Sequence, residues 1–85
     1  MKISYAKSFT QSFLKLPEKK QIKVRNAVNL FIREPNNPKL RLHELQGPLA
    51  GVWSISAGGD LRLHFEYHGK TAVFFLTVGT HSQLY

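Results

Sequence analysis

The segment from residue 61 to residue 80, LRLHFEYHGKTAVFFLTVGT, decides the fold. Its first eight residues alternate between apolar and polar side chains, as in a β-strand with one buried face and one polar face. The apolar face consists of Leu61, Leu63, Phe65 and Tyr67. The polar face consists of Arg62, His64, Glu66 and His68. Gly69 and Lys70 predict a turn, and the nearly apolar run over residues 71–78 predicts a central strand covered on both faces. We therefore expect a β-hairpin at the centre of a sheet.

Shorter strands are predicted before this hairpin. Residues 40–43 alternate until Gly47 and Pro48 interrupt the pattern, and residues 52–56 form the next strand, in which Trp53 is expected to belong to the core. The sequence AGGD at residues 57–60 is typical of a hairpin turn. Residues 79–85, GTHSQLY, are expected to form a polar tail.

The first half of the chain predicts one strand and two helices. Residues 2–5 alternate as a strand does, and Ser8 with Gln11 matches a capping box, so a helix is expected to begin at Ser8. A second helix follows Pro17, with apolar residues at helical spacing, and the sequence EPNNP at residues 34–38 ends it. The fold class expected is α+β: a small antiparallel, mixed-edge β-sheet with two N-terminal helices packed on one face, in a single domain over residues 1–85.

Composition limits the classes of function. The chain has no cysteine, which excludes disulfides and thiolate zinc sites. Its longest apolar run, residues 72–76, is too short to span a membrane, and no signal-peptide pattern occurs, so we expect a soluble cytoplasmic domain without membrane contact. The net charge of +7 favours a polyanionic partner such as RNA, DNA, the ribosome or an acidic protein. The simpler interpretation is that this charge only maintains solubility.

The residues suited to chemistry are a set of polar side chains near the predicted strand ends. The chain has no phosphate-binding glycine loop and no metalloprotease motif, and its five carboxylates are too few for a convincing metal site, so no cofactor is expected. Histidine suits proton transfer near neutral pH, and arginine suits phosphate. The candidates from the residues alone are His43, Asp60, Arg62, His64 and His81. Each also has a structural interpretation: a solvated histidine, a turn aspartate, or an arginine paired with Glu66.

Four segments together carry a resemblance to a known family. They are HELQG at residues 43–47, GVW at 51–53, GDLRL at 59–63 and VGTHSQLY at 78–85. In this order and spacing they resemble the RelE/ParE superfamily of bacterial type II toxins, and most closely its YafQ-like branch of mRNA interferases. The sequence pattern of the N-terminal half is also similar to that of the family, so the resemblance spans nearly the whole chain.

The resemblance implies a function and a set of site residues. Members of the branch cut mRNA in the ribosomal A site, inhibit translation and are held inactive by a cognate antitoxin. The implied catalytic residues are His43, Asp60, His81 and Tyr85, the last as an aromatic residue near the substrate. The resemblance implies phosphate binding by Arg62, and we add His64 and Arg41 as candidate substrate- or phosphate-binding residues. The partners expected are the antitoxin, mRNA and the ribosomal RNA, with DNA contacted only through the antitoxin complex.

The chemistry expected is attack of the RNA 2′-OH on the adjacent phosphate without a metal. His43 and His81 would transfer protons, Asp60 would orient a histidine, and Arg62 would stabilise the phosphate. One departure from the branch is Ser56, which stands where a further histidine is usual, so either two histidines suffice or His64 contributes. Two alternatives remain at this point: a gyrase inhibitor of the ParE type, and a non-catalytic module that binds an antitoxin as co-repressor.

Overall fold

The hairpin predicted from residues 61–80 is the centre of the structure. A computed structural model describes all residues from 1 to 85. The strands are β1 (Lys2–Tyr5), β2 (His43–Glu44), β3 (Trp53–Ser56), β4 (Leu61–His68) and β5 (Ala72–Thr80). The helices are α1 (Lys7–Leu14), α2 (Glu18–Arg33) and α3 (His81–Leu84), with 3₁₀ turns at Pro38–Leu40 and Gly47–Leu49. None of these helices has the length and apolar character needed to cross a membrane.

The five strands form one mixed sheet in the order β1-β5-β4-β3-β2. Strands β2 to β5 run antiparallel to their neighbours as a meander, whereas β1 pairs in parallel with β5. The long helices α1 and α2 connect β1 to the meander and supply the crossover that a parallel pair requires. The expected α+β class, with a mixed sheet and helices on one face, is confirmed.

The core lies between this helical layer and one face of the sheet. Phe31 of α2, Phe65 of β4 and Phe75 of β5 are fully buried, and the ring centroids of Phe31 and Phe65 are 5.0 Å apart. Each such side chain contributes about 1.5–3 kcal/mol by leaving water. Trp53 packs against this cluster from its rim, as predicted.

The predicted start of the first helix is wrong. The helix begins at Lys7, and its N-cap is Ala6, which makes no side-chain capping bond. The register of β4 against β5 shifts between His64 and Phe65, which leaves Leu76 as an extra residue of β5. The Ser8 hydroxyl donates to the Leu76 carbonyl at 2.6 Å, so a tertiary contact takes the side chain that local capping would have used.

Two further segments differ from the prediction. Residues 79–85 are not a polar tail, because β5 continues to Thr80 and α3 follows at once with a capping box between Thr80 and Gln83. The strand predicted over residues 40–43 is reduced to His43–Glu44, since Pro38 starts a 3₁₀ turn. Both differences change the surroundings of the candidate histidines.

Candidate active site

The sheet face away from α1 and α2 carries a row of polar residues. The strand registers place His43 of β2 opposite Ser54 of β3, Ser54 opposite His64 of β4, and His64 opposite Thr77 of β5. Side chains of directly opposed residues point to the same face of a sheet. Two histidines that are distant in sequence therefore belong to one row.

The short helix α3 packs onto this polar face through a glycine. A Cβ atom at Gly79 would lie 2.9 Å from Oε1 of Gln83 and 3.3 Å from Cδ2 of Leu84, so a larger residue here would displace these two side chains. The Gln83 side chain accepts from the Thr80 N–H at 2.8 Å, which caps the helix. The chain after β5 is thus turned back over the sheet.

Tyr85 joins three polar groups on this face. Its ring stacks on His81 with centroids 4.3 Å apart, and it meets His64 edge to face at 5.0 Å. Its hydroxyl donates to Oγ of Ser54 at 2.9 Å. Two histidines thus contact Tyr85 directly, and a third, His43, is the register partner of Ser54, which the Tyr85 hydroxyl binds.

His64 is the buried member of this group. It is 4% exposed, and its Nε2 atom is buried without a hydrogen-bond partner. Burial, and secondarily the charge of the nearby His43, lower the pKa of His64 from its ordinary value. The ring is therefore neutral at physiological pH. An unpartnered buried nitrogen costs stability, so the position of this ring is not explained by hydrogen bonding within the chain.

The proton position of His43 is set by its neighbour. Nδ1 of His43 lies 2.7 Å from the carbonyl oxygen of Arg41. A carbonyl oxygen can only accept, so Nδ1 carries the proton and Nε2 of the neutral ring has a free lone pair. Arg41 adopts a left-handed backbone conformation with φ 49°, uncommon for a residue other than glycine. This backbone strain lies at the site itself.

Arg62 lies on the same face, two residues before His64 along β4. Its Nη1 atom donates to the Gly59 carbonyl at 2.8 Å, to the Leu61 carbonyl at 3.1 Å and to Oγ of Ser56 at 3.2 Å. All of its hydrogen bonds use Nη1, so Nη2 and Nε remain available to a ligand. The predicted structural alternative, a pair with Glu66, does not form, because Glu66 binds His68 at 2.9 Å.

Asp60 contributes through its backbone in this structure. Its carbonyl oxygen accepts from the His81 N–H at 2.8 Å, which anchors the start of α3 to the turn before β4. Its carboxylate is exposed and makes no hydrogen bond, so the carboxylate–histidine contact expected from the sequence is not present. His68 lies outside the group and is exposed on β4.

Sequence reasoning missed two residues that assemble the site. Ser54 was treated only as part of a strand, although its register with His43 and His64 places it at the centre of the row. Gly79 precedes Thr80 and His81, and its lack of a side chain leaves room for the Gln83 and Leu84 side chains of α3. Ser56, the departure from the family pattern, is buried and accepts from Arg62 and from the Gly58 N–H. No group of three or more potential metal-ligating residues is clustered in the structure.

Comparison with solved structures identifies the fold. YafQ from E. coli superposes with a TM-score of 0.79 at 24% sequence identity, covering 98% of this chain and 96% of that protein. A YoeB/ParE toxin from Agrobacterium tumefaciens superposes with a TM-score of 0.78 at 18% identity, covering 95% and 99%. The chain has the fold of the RelE/ParE toxins. The resemblance drawn from the four sequence segments is therefore confirmed at the level of the fold.

Some of the other solved structures with this RelE/ParE fold are toxin–antitoxin complexes. The E. coli DinJ–YafQ complex matches with a TM-score of 0.76 at 24% identity, covering 98% of this chain and 96% of the matched chain. The sequence matches no family model and no curated protein. The likeness thus rests on the arrangement of strands and helices more than on shared residues.

Proposed function

We propose that this chain is the toxin of a type II toxin–antitoxin system and inhibits translation by cutting mRNA on the ribosome. The observation that carries the proposal is a polar group on the sheet face that the long helices leave free. In it His64 and His81 contact Tyr85, His43 belongs to the same row through Ser54, and Arg62 lies on the same face. The fold shared with YafQ also supports the proposal. Because one fold can host several activities, the choice among them depends on the residues of the site.

The reaction proposed is a transesterification at one phosphodiester. The 2′ oxygen forms a bond to phosphorus while the bond from phosphorus to the 5′ oxygen breaks, leaving a 2′,3′-cyclic phosphate and a 5′-OH. A base takes the 2′ proton and an acid protonates the 5′ oxygen. His43 suits the base, because the Arg41 carbonyl holds its proton on Nδ1 and leaves Nε2 free. His81, exposed and without a side-chain hydrogen bond, is assigned the acid.

The remaining residues bind and position the RNA. Arg62 offers Nη2 and Nε to the phosphate oxygens while Nη1 fixes its orientation. Tyr85, exposed beside His81, provides a ring on which a nucleobase can stack. His64, buried and neutral, supports Tyr85 from below. Asp60 fixes the start of α3 through its backbone, and its free carboxylate faces no competing partner within the chain.

An antitoxin, mRNA and ribosomal RNA are the proposed partners. The net charge of +7 attracts both an acidic protein and RNA, and it increases encounter rates with either. DNA would be reached only through the antitoxin complex, as in co-repression of an operon. This activity places the protein in the cytoplasm, where translating ribosomes are.

The test is primer extension on an mRNA incubated with the purified protein, with and without translating ribosomes. We expect discrete cuts that require ribosomes, and a loss of about 10²–10⁴-fold in rate for His43→Ala and for His81→Ala. The matched control is His68→Ala, which removes an exposed histidine outside the site and should leave the rate unchanged.

Three results would contradict the proposal in different ways. Wild-type cleavage rates in either site variant would remove the assigned acid–base roles. Intact mRNA together with trapped gyrase–DNA complexes would establish a ParE-type inhibitor instead. Intact mRNA, normal gyrase and retained antitoxin binding would indicate a non-catalytic co-repressor.

A further inference from the structure

A second concave surface lies beside the proposed catalytic group, on the other side of the turn before β4. It is a cleft of about 650 Å³ between α2 and residues 56–59, closed at one end by the 3₁₀ turn at Pro38–Leu40. Its floor includes the buried apolar residues Ala27 and Leu40. We call this surface the α2 cleft.

The walls of the α2 cleft carry positive charge without any negative charge. Lys23 of α2, Lys39 of the 3₁₀ turn and Arg41 line it, and none of the five carboxylates of the chain does. The one ion pair in the molecule joins His68 and Glu66, so all three cleft cations are free of ion-pair partners. Unpaired cations around a concave surface concentrate the field that attracts an anion.

Polar groups of the adjoining turn add hydrogen-bond capacity. Asn26 lines the α2 cleft, and the Gly59 N–H makes no hydrogen bond within the chain. Gly58 and Gly59 both have positive φ, of 105° and 56°, so the turn carries no side chains there and its backbone is accessible. Free backbone N–H groups beside cations are typical of phosphate-binding surfaces.

The α2 cleft is continuous with the proposed catalytic group through two residues. Arg41 lines the cleft, and its carbonyl holds His43. Ser56 lines the cleft, and its hydroxyl accepts from Arg62. A strand whose phosphate sits on Arg62 therefore has the cleft next to it.

We propose that the α2 cleft binds backbone phosphates of the RNA strand adjacent to the phosphodiester that is cut. The inference rests on the proposed function for the identity of the strand. Its chemistry is sequence-independent recognition of phosphate by lysine, arginine and backbone N–H groups. The cleft thereby fixes the position of the strand along the sheet.

The test measures binding without cleavage. The probe is a fluorescent 2′-O-methyl RNA nonamer, which has no 2′-OH to attack, titrated by anisotropy at several salt concentrations. The double variant Lys23→Ala/Lys39→Ala is compared with Lys2→Ala/Lys70→Ala, which loses the same charge on β1 and in the β4–β5 turn. We expect the cleft variant to bind about tenfold more weakly near 0.1 M salt. Its log–log salt slope should fall by about 1.4, since each single-strand phosphate contact contributes about 0.7.

The controls separate local contacts from general charge and from misfolding. Lys2→Ala/Lys70→Ala should retain the wild-type slope, and Lys23→Arg/Lys39→Arg should restore binding because it keeps both charges. Equal losses in the two alanine pairs, or an unchanged slope in the cleft pair, would overturn the inference. Binding of a polyglutamate peptide that depends on the cleft, with no such dependence for RNA, would overturn it in favour of an acidic protein segment.

Cleavage of unmodified mRNA distinguishes this inference from the proposed function. If the wild type cuts mRNA, kcat/KM should fall in the cleft variant by about the same factor as the binding affinity. Cleavage that is equally efficient in both alanine pairs contradicts the cleft alone. Absence of cleavage by the wild type contradicts the proposed function alone, and the nonamer still decides the cleft.

Discussion

The two faces of the sheet formed by β3, β4 and β5 differ in composition: one is apolar and forms the core, and the other is polar and carries the candidate site. On the face toward α1 and α2, Ile55, Leu63 and Phe65 are each 0% exposed and make the core. On the opposite face the same strands present Ser54, Ser56, Arg62, His64 and Thr77, and only the single turn of α3 packs onto them. Burial of apolar side chains stabilises the first face. The second face carries polar groups, whose burial does not by itself stabilise the fold.

The difference teaches how so small a domain separates stability from chemistry. Alternate residues of a strand point to opposite faces, so the core stays continuous while the candidate functional side chains come from four elements. On this view, damage to the apolar face should reduce stability first, and damage to the polar face should reduce activity first. The predictions below test that division.

The largest effect on stability is expected from neighbouring phenylalanines of β5. Phe75 is fully buried and contacts four other aromatic rings, whereas Phe74 points to the opposite face and contacts His68. Phe75→Ala should lower the free energy of unfolding by about 3–5 kcal/mol. Phe74→Ala should lower it by about 1–2 kcal/mol. Urea unfolding followed by circular dichroism measures both, and equal losses would refute the division between faces.

An intermediate effect is expected at the glycine under α3. Gly79→Ala puts a methyl group against the side chains of Gln83 and Leu84, which must shift, at a cost of about 1–3 kcal/mol. Displacing Gln83 disturbs the cap at the start of α3, which positions His81 and Tyr85, so cleavage should fall by up to about 10²-fold, more than the stability loss explains. Ser82→Ala, on the exposed side of the same helix, is the control and should change stability by less than about 0.5 kcal/mol. Full activity in Gly79→Ala would show that the position of α3 is unimportant.

The smallest effect is expected in the pH dependence of stability. Burial holds the pKa of His64 below its ordinary value, near 6.5, so at pH values between the two the unfolded chain binds a proton that the folded chain does not. Stability should therefore rise with pH through this range and decline on acidification from pH 7.5 to 5.5. His64→Phe should remove that part of the slope, and His68→Phe, at an exposed position, should retain it. If the urea midpoint changes by the same amount between pH 7.5 and pH 5.5 in the wild type and in His64→Phe, the burial of an ionisable ring is contradicted.

The fold was predictable where periodicity alone sets the structure. The alternation over residues 61–68 and the helical spacing from Val24 to Phe31 each determine a face without further information. The prediction failed where a distant partner decides. Ser8 bonds Leu76 instead of capping its own helix, and β1 pairs with a strand near the other end of the chain. Neither contact can be predicted from the residues that are close in sequence.

The sequence predicts which residues belong to the candidate site, but it does not predict how they are arranged. Residue type, position and family resemblance predict His43, His64 and His81 as site residues. In the structure His64 and His81 contact Tyr85, and His43 lies in the same row, opposite Ser54. The role of Ser54 depends on strand register, and the tautomer of His43 depends on the backbone of Arg41. Both are products of tertiary structure, which explains why neither could be read from the chain.

The parallel pairing of β1 with β5 also affects how the protein is made. Lys2 lies opposite Ala72, and Tyr5 lies opposite Phe75, so the first strand finds its neighbour only when the last strand has been synthesised. His81 and Tyr85 follow that strand directly. A nascent chain therefore has no assembled site until β5 and the α3 residues after it have been synthesised.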